Sequence, residues 1–147
     1  MLSAPGDRLG EIDQLLARYA AAPRWFTQPA SPRRFQLRLC VEIEPTELAK
    51  MAVELSRLAE AFEICQIGVG GDLYLFHSGL GLKYLAMDDA GEVILRAGQL
   101  DRLLSQSNGN MQEFQRMLRI ERGQLWMDIL EPLRRGLVRL DQLPRAV

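Results

Sequence analysis

The stretch GVGGDLYLFHSG, residues 68–79, joins a glycine-rich loop to the only histidine of the chain. Glycines can cradle a phosphate group, and histidine can act as a general base. The G-x-G-x-x-G pattern of dinucleotide sites is incomplete, because its third glycine position holds Leu73. A strand rather than a helix is expected to follow, so the helix dipole that stabilises phosphate is missing. The stretch therefore predicts a tight turn, Gly70-Gly71-Asp72, within a β-hairpin.

His77 and Cys65 are the residues best suited to acid–base or nucleophilic chemistry. One histidine and two cysteines, Cys40 and Cys65, are too few and too widely spaced for a zinc site. No metal or other cofactor is predicted, and both cysteines are expected to be reduced and buried. An alternative stays open, namely a small enzyme or ligand-binding domain with a pocket on the sheet around His77. The residues that would line this pocket are Cys65, Tyr74, His77 and Tyr84.

Carboxylates are concentrated in one predicted turn and on one predicted strand. Residues 88–92, DDAGE, lack the alternating acids and the closing Glu of a calcium-binding EF-hand loop, so a solvated turn is expected there. Glu42 and Glu44 share one face of a strand, where charged residues commonly face water. As surface groups, Asp88, Asp89, Glu42 and Glu44 are candidates for contact with a partner protein.

A second candidate binding segment is the proline-rich stretch PRWFTQPASPRR, residues 23–34. Trp25 and Phe26 lie there between Arg24 and the pair Arg33-Arg34. Aromatic residues and arginine are enriched among the residues that dominate protein–protein binding energies. The stretch has no periodicity and is expected to be an extended connector. Its two aromatic rings either contact a partner or pin the connector to the core.

The elements that position these residues follow from apolar spacing. Residues 8–22 and 46–62 repeat apolar side chains at helical intervals, whereas residues 35–43 alternate as in a half-buried strand. Four short apolar runs follow, separated by turns rich in Gly, Asp and Ser, as in an antiparallel meander. The meander strands are 63–69, 73–77, 82–87 and 92–96. Residues 98–143 are expected to be helical, with Asn110 as an N-cap and Pro132 as a kink or restart.

Together these elements predict an α+β fold. One mainly antiparallel sheet of about five strands, formed by β-α-β and then the meander, packs against helices and a C-terminal helical segment. The sheet region spans residues 35–96. A length of 147 residues suits a single domain covering residues 1–147. Covering one face of the sheet with helices is the simplest arrangement.

The charge distribution limits the choice of partner. Residues 1–39 carry a net charge of +3, residues 40–101 carry −7, and residues 102–147 carry +3. Strong nucleic-acid binders have clustered basic residues and a high pI, so nucleic acid is an unlikely partner. The sequence shows no signal peptide and no apolar run long enough to span a membrane, which predicts a cytoplasmic protein without membrane contact.

The predicted function follows mainly from the motifs that are missing. In size and general pattern, the meander followed by helices resembles small bacterial immunity and inhibitor proteins. No shared motif allows functional residues of those proteins to be assigned to this chain. The prediction is a non-catalytic protein-interaction module, such as an inhibitor, immunity protein, adaptor or assembly factor. Its acidic middle segment would suit a basic partner surface, and a homo-oligomer is possible.

Overall fold

The computed structural model describes residues 2–19, 24–27, 34–38, 43–66 and 71–141. Only the backbone is described for residues 24–27, 34–38 and 133–141. The predictions made for Arg33, Cys40, Glu42 and Gly70 lie outside the described residues.

The described strands form one antiparallel sheet, which confirms the predicted α+β class. The sheet has seven strands in the order β2-β3-β1-β4-β5-β6-β7. Five of them correspond to the predicted strands, whereas β2 is an additional edge strand and β1 is inserted between β3 and β4. The strands are β1 (Leu2–Pro5), β2 (Arg24–Thr27), β3 (Arg34–Arg38), β4 (Ala61–Cys65), β5 (Asp72–His77), β6 (Gly81–Met87) and β7 (Val93–Ile94).

Within the described residues, five α-helices and one short 3-10 turn, Gly6–Arg8, accompany the sheet. The helices are α1 (Leu9–Arg18), α2 (Pro45–Leu55), α3 (Ala97–Gln106), α4 (Met111–Glu121) and α5 (Gln124–Asp141). Pro45 occupies the first turn of α2, where its missing N–H removes no hydrogen bond. Asn110 caps α4 as predicted, because its side-chain oxygen accepts hydrogen bonds from the backbone N–H groups of Gln112 and Glu113. Pro132 lies inside α5, which continues beyond it.

The main differences from the sequence-based expectation concern two strands and the end of one helix. The stretch read as a connector contains strand β2, which pairs with β3. The second helix ends at Leu55 rather than at residue 62, and Phe62 belongs to β4, where it pairs with both Leu2 and Phe76. Apolar residues continue at helical spacing through the turn after Leu55, so periodicity alone could not reveal the end of the helix. The four-residue strand β1 is too short to produce a recognisable pattern.

Helices cover both faces of the sheet rather than one. On the first face, α1 and α2 pack against β1, β4 and β5 and form the larger part of the described core. The rings of Phe62 and Phe76 stack there with centroids 5.1 Å apart. The buried residues of the two helices on this face are Ile12, Leu15, Leu16, Leu48, Met51, Ala52 and Leu55.

On the second face, α5 packs against β4, β5 and β6. Trp126 and Leu130 of α5 form a smaller buried cluster with Ala61, Leu73, Leu75 and Leu85. Two antiparallel strands point alternate residues to opposite faces, so residues paired across neighbouring strands share a face. In the part of the chain that the structure describes, no helix is both long and apolar enough to cross a membrane.

Candidate functional site

The four residues of the predicted pocket lie on two different faces of the sheet. Tyr74 pairs with Tyr84, and both share the first face with Phe76. Cys65 pairs with Leu73, and His77 pairs with Ala61, so these two residues belong to the second face. The structure therefore does not bring the four side chains into one pocket.

Cys65 and His77 are also separated along the sheet. The pairing partner of His77, Ala61, precedes Cys65 by four residues on the same strand. At a rise of about 3.3 Å per residue, this separates the two positions by about 13 Å. Cys65 is the last residue of β4 and is exposed, not buried as predicted. A thiol–imidazole pair needs hydrogen-bonding contact, so this geometry provides no Cys–His nucleophile.

The tyrosine pair has a structural role on the first face. The centroids of the two rings lie 5.3 Å apart, and the Tyr84 hydroxyl donates a 2.8 Å hydrogen bond to the Asp72 carboxylate. This hydrogen bond and burial raise the pKa of Tyr84, and burial raises the pKa of Tyr74. Both phenols therefore stay protonated at neutral pH and are poor candidates for a base or nucleophile.

The acidic residues predicted as partner contacts are distributed over separate elements. Asp88 folds its own turn, because its carboxylate accepts hydrogen bonds from the backbone N–H groups of Ala90 and Glu92. Asp89 is exposed in that turn, and Glu44 is exposed at the start of α2. These three residues remain predicted contacts.

The aromatic and basic residues predicted as partner contacts lie at one edge of the sheet. Trp25 and Phe26 are in the edge strand β2, where their backbones pair with Leu37 and Gln36. Arg34 begins the neighbouring strand β3. These residues also remain predicted contacts.

A groove that sequence reasoning missed lies between α4 and α5 and encloses about 440 Å³. Four polar residues of α4 lie at positions i, i+3, i+4 and i+7, which places them in a single stripe along the helix. Their aliphatic stems, together with Ile120 and Leu125, give the groove a mainly apolar lining. The lining residues are Gln112, Gln115, Arg116, Arg119, Ile120 and Leu125.

The apolar surface of helix α4 is only partly covered. It is amphipathic, yet none of its residues is buried. Met111 at its start is 62% exposed, and Leu125, which follows at the groove, is 39% exposed. Exposed apolar side chains are common singly, but Leu125 lines a concave groove, which is typical of a binding surface.

The charges at the groove are held by weak ion pairs. Arg116 contacts Glu113 through two hydrogen bonds of 2.9 and 2.6 Å, and this contact lowers the pKa of Glu113. Arg119 reaches Asp128 at 3.4 Å. Exposed ion pairs of this kind contribute little net free energy, so the guanidinium groups can exchange partners at low cost.

Less exposed contacts join α4 and α5 to α3 and the sheet. Glu121 accepts hydrogen bonds from Lys83 at 2.8 Å and from Arg102 at 2.7 Å, and it links β6, α3 and α4. These contacts, above all the hydrogen bond from Lys83, lower the pKa of Glu121. The Trp126 indole donates a 2.9 Å hydrogen bond to the Gly81 carbonyl, which ties α5 to the sheet. These contacts fix α4 and α5 relative to α3 and the sheet.

The described residues contain no group of three or more His, Cys, Asp or Glu side chains arranged to hold a metal ion. The sequence signal that could have revealed the groove is the stripe of Gln and Arg on α4. That pattern shows which side is polar, but it does not show how far a neighbouring helix covers the other side.

The protein is thus an α+β protein in which the described antiparallel sheet carries helices on both faces, with a groove between α4 and α5. Residues 12–139 match the model of a family described as "Protein of unknown function (DUF3145)". The match covers most of the chain, so the protein belongs to this family. Neither the curated proteins nor the solved structures contain a match to the chain.

Proposed function

We propose that the protein is a non-catalytic protein-interaction module that acts in the cytoplasm as an inhibitor, immunity protein, adaptor or assembly factor. The observation that carries the proposal is the α4–α5 groove, with its mainly apolar lining, in which Leu125 is 39% exposed. Concave apolar surfaces bordered by arginine are favoured sites for protein partners.

The chemistry of the groove favours an acidic partner segment. Two arginines and two glutamines border it, and no carboxylate is among the described residues that line it. An amphipathic partner helix could place an apolar side chain against Ile120 and Leu125 and its carboxylates against Arg116 and Arg119. Each new bidentate arginine–carboxylate contact would replace an exposed intramolecular pair.

Affinity capture of the tagged protein from its native cells, followed by mass spectrometry and light scattering, tests this proposal. The Leu125→Arg variant places a charge in the groove, and Val53→Arg places the same charge on a similarly exposed residue of α2. We expect one stoichiometric partner protein with the wild type and Val53→Arg, and its loss with Leu125→Arg.

Two results would contradict the proposal. A wild-type protein that is recovered alone, even after chemical crosslinking in cells, would exclude a stable partner. A partner that stays bound to Leu125→Arg would place the interface elsewhere, for example at Trp25 and Phe26 or at the acidic turn. Light scattering at twice the monomer mass would identify a second copy of this chain as the occupant.

A further inference from the structure

A second cavity lies on the face of the sheet opposite the tyrosine pair. It is lined in part by His77, the only histidine of the chain. It encloses about 350 Å³ between the sheet and α5. Sheet register explains its position, because Ser3, Ala61 and His77 lie in one row across β1, β4 and β5. The small Ala61 side chain between the other two leaves space above the sheet. The lining residues are Ser3, Glu60, Ala61, His77, Ser78, Ile129 and Pro132.

The Ser3 side chain is the strongest indication of a ligand. Ser3 is only 3% exposed, and the structure shows no hydrogen bond from its hydroxyl to another described group. A buried hydroxyl without a partner destabilises the folded state, since it has lost its hydrogen bonds to water. Ser107 offers a direct contrast, because it is equally buried and its hydroxyl donates a 2.8 Å hydrogen bond to the Leu104 carbonyl.

The hydrogen bonding of His77 defines what the cavity can offer. Its Nδ1 accepts a 3.1 Å hydrogen bond from the backbone N–H of Gly79. A nitrogen that accepts carries no proton, so the proton of the neutral ring is on Nε2. Serine hydrolases need the opposite tautomer, in which Nδ1 donates to a carboxylate and Nε2 accepts from the serine. The cavity is therefore suited to binding through an Nε2–H donor rather than to serine activation.

We infer that the cavity binds a small neutral molecule that carries an amide or a comparable donor–acceptor pair. The His77 Nε2–H would donate to the ligand's oxygen, and the Ser3 hydroxyl would hydrogen-bond to it as donor or acceptor. Glu60 also lines the cavity and already has a partner within the protein, whereas the Ser3 hydroxyl and the His77 N–H group offer uncharged hydrogen bonds that match a neutral ligand. Ile129 and Pro132 supply an apolar roof. This inference is independent of the α4–α5 groove.

Nuclear magnetic resonance titration of the full chain tests the inference with three probes of similar size. Acetamide is neutral, acetate is anionic and ethylammonium is cationic. The reporters are the His77 Cε1–H signal and the Ala61 methyl signal. We expect saturable shifts with acetamide and much weaker ones with the two charged probes.

Two matched variants connect binding to the buried hydroxyl. Ser3→Ala should raise the Tm of the free protein by about 3 °C, because it removes an unpartnered polar group, and weaken acetamide binding about tenfold. Ser107→Ala should lower the Tm by a similar amount and leave acetamide binding unchanged, because it removes a hydroxyl that has a partner.

Three results would overturn the inference. The absence of saturable shifts with every probe would mean that the cavity holds water only. Tighter binding of acetate or ethylammonium would contradict the neutral ligand class. A Tm of Ser3→Ala that falls as far as that of Ser107→Ala would show that the Ser3 hydroxyl has a partner within the protein.

Discussion

The two faces of the sheet differ in what they bury. The first face packs α1 and α2 onto a continuous apolar layer that includes Phe62 and Phe76. The second face combines a smaller apolar cluster with polar groups, among them Lys83, Ser3 and His77. The α4–α5 groove and the cavity at His77 both lie on this second side of the sheet. Among the described residues, the first face therefore carries the larger apolar core, and the second face carries the two concave surfaces for which we propose binding.

The largest expected effect tests the first face. Leu55→Ala should lower the free energy of unfolding by about 2–5 kcal/mol, because Leu55 is fully buried at the end of α2. Val53→Ala, two residues earlier and 45% exposed, should change it by less than about 0.5 kcal/mol. Urea denaturation measures both. Equal effects of the two variants would contradict the assignment of the apolar face of α2.

The next effect tests how closely the helices pack onto the second face. Gly123 joins α4 to α5 with a φ of +72°, and a Cβ there would meet the Leu85 Cδ1 atom at 2.7 Å. Gly123→Ala should cost about 2–4 kcal/mol, from backbone strain and from the displacement of Leu85.

Gly109→Ala is the matched control for Gly123→Ala. Gly109 has a φ of +78° but open space around its Cβ position, so only the strain of about 1–2 kcal/mol applies. Thermal melts of the two variants compare the costs. If both variants lower the free energy of unfolding by the same amount, the turn between α4 and α5 does not pack closely against Leu85.

A smaller effect tests the ion pairs on the second face. Glu121→Gln should lower the free energy of unfolding by about 1 kcal/mol at pH 7, because it removes the carboxylate shared by Lys83 and Arg102. The folded-state pKa of Glu121 is lowered, so its contribution is complete above the unfolded pKa of about 4.3 and is lost as pH falls through the lower folded pKa.

The pH dependence provides the check on this ion-pair network. The Tm difference between wild type and Glu121→Gln should be constant near neutral pH and should narrow below about pH 4. Both proteins have the same other titrating groups, so their common acid denaturation cancels in the difference. A difference that grows on acidification would contradict the direction of the Glu121 pKa shift.

The smallest effect on stability concerns the groove itself. Arg116→Ala combined with Arg119→Ala removes only exposed ion pairs, so the Tm should not change measurably. The same double variant should weaken binding of an acidic partner, measured by affinity capture at low and moderate salt. A large loss of Tm would show that these arginines support the fold rather than binding.

The α+β class was predictable from the sequence because several elements have strong local signals. The periodicity of α2, the turns of the meander and the Asn110 cap depend on neighbouring residues. The end of α2 and the strand β1 were not predictable, because Phe62 continues the helical spacing and β1 acquires its identity from its pairing partners. That the chain forms a single domain stays a prediction.

The candidate sites were less predictable than the fold. Ser3 and His77 are far apart in sequence, and only the order β1-β4-β5 places them in one row. The groove depends on how much of α4 its neighbours leave uncovered, and periodicity does not contain that information. Conversely, the pocket predicted from Cys65, Tyr74, His77 and Tyr84 was divided between the two faces by strand alternation.

Hydrogen–deuterium exchange of the captured complex is the decisive test of the α4–α5 groove, because it compares all elements in one measurement. We expect binding to increase the protection of amides in residues 111–125, while the amides of α2 keep their exchange rates. Increased protection confined to residues 24–27 and 88–92, with no change in α4, would contradict the α4–α5 groove as the interaction surface.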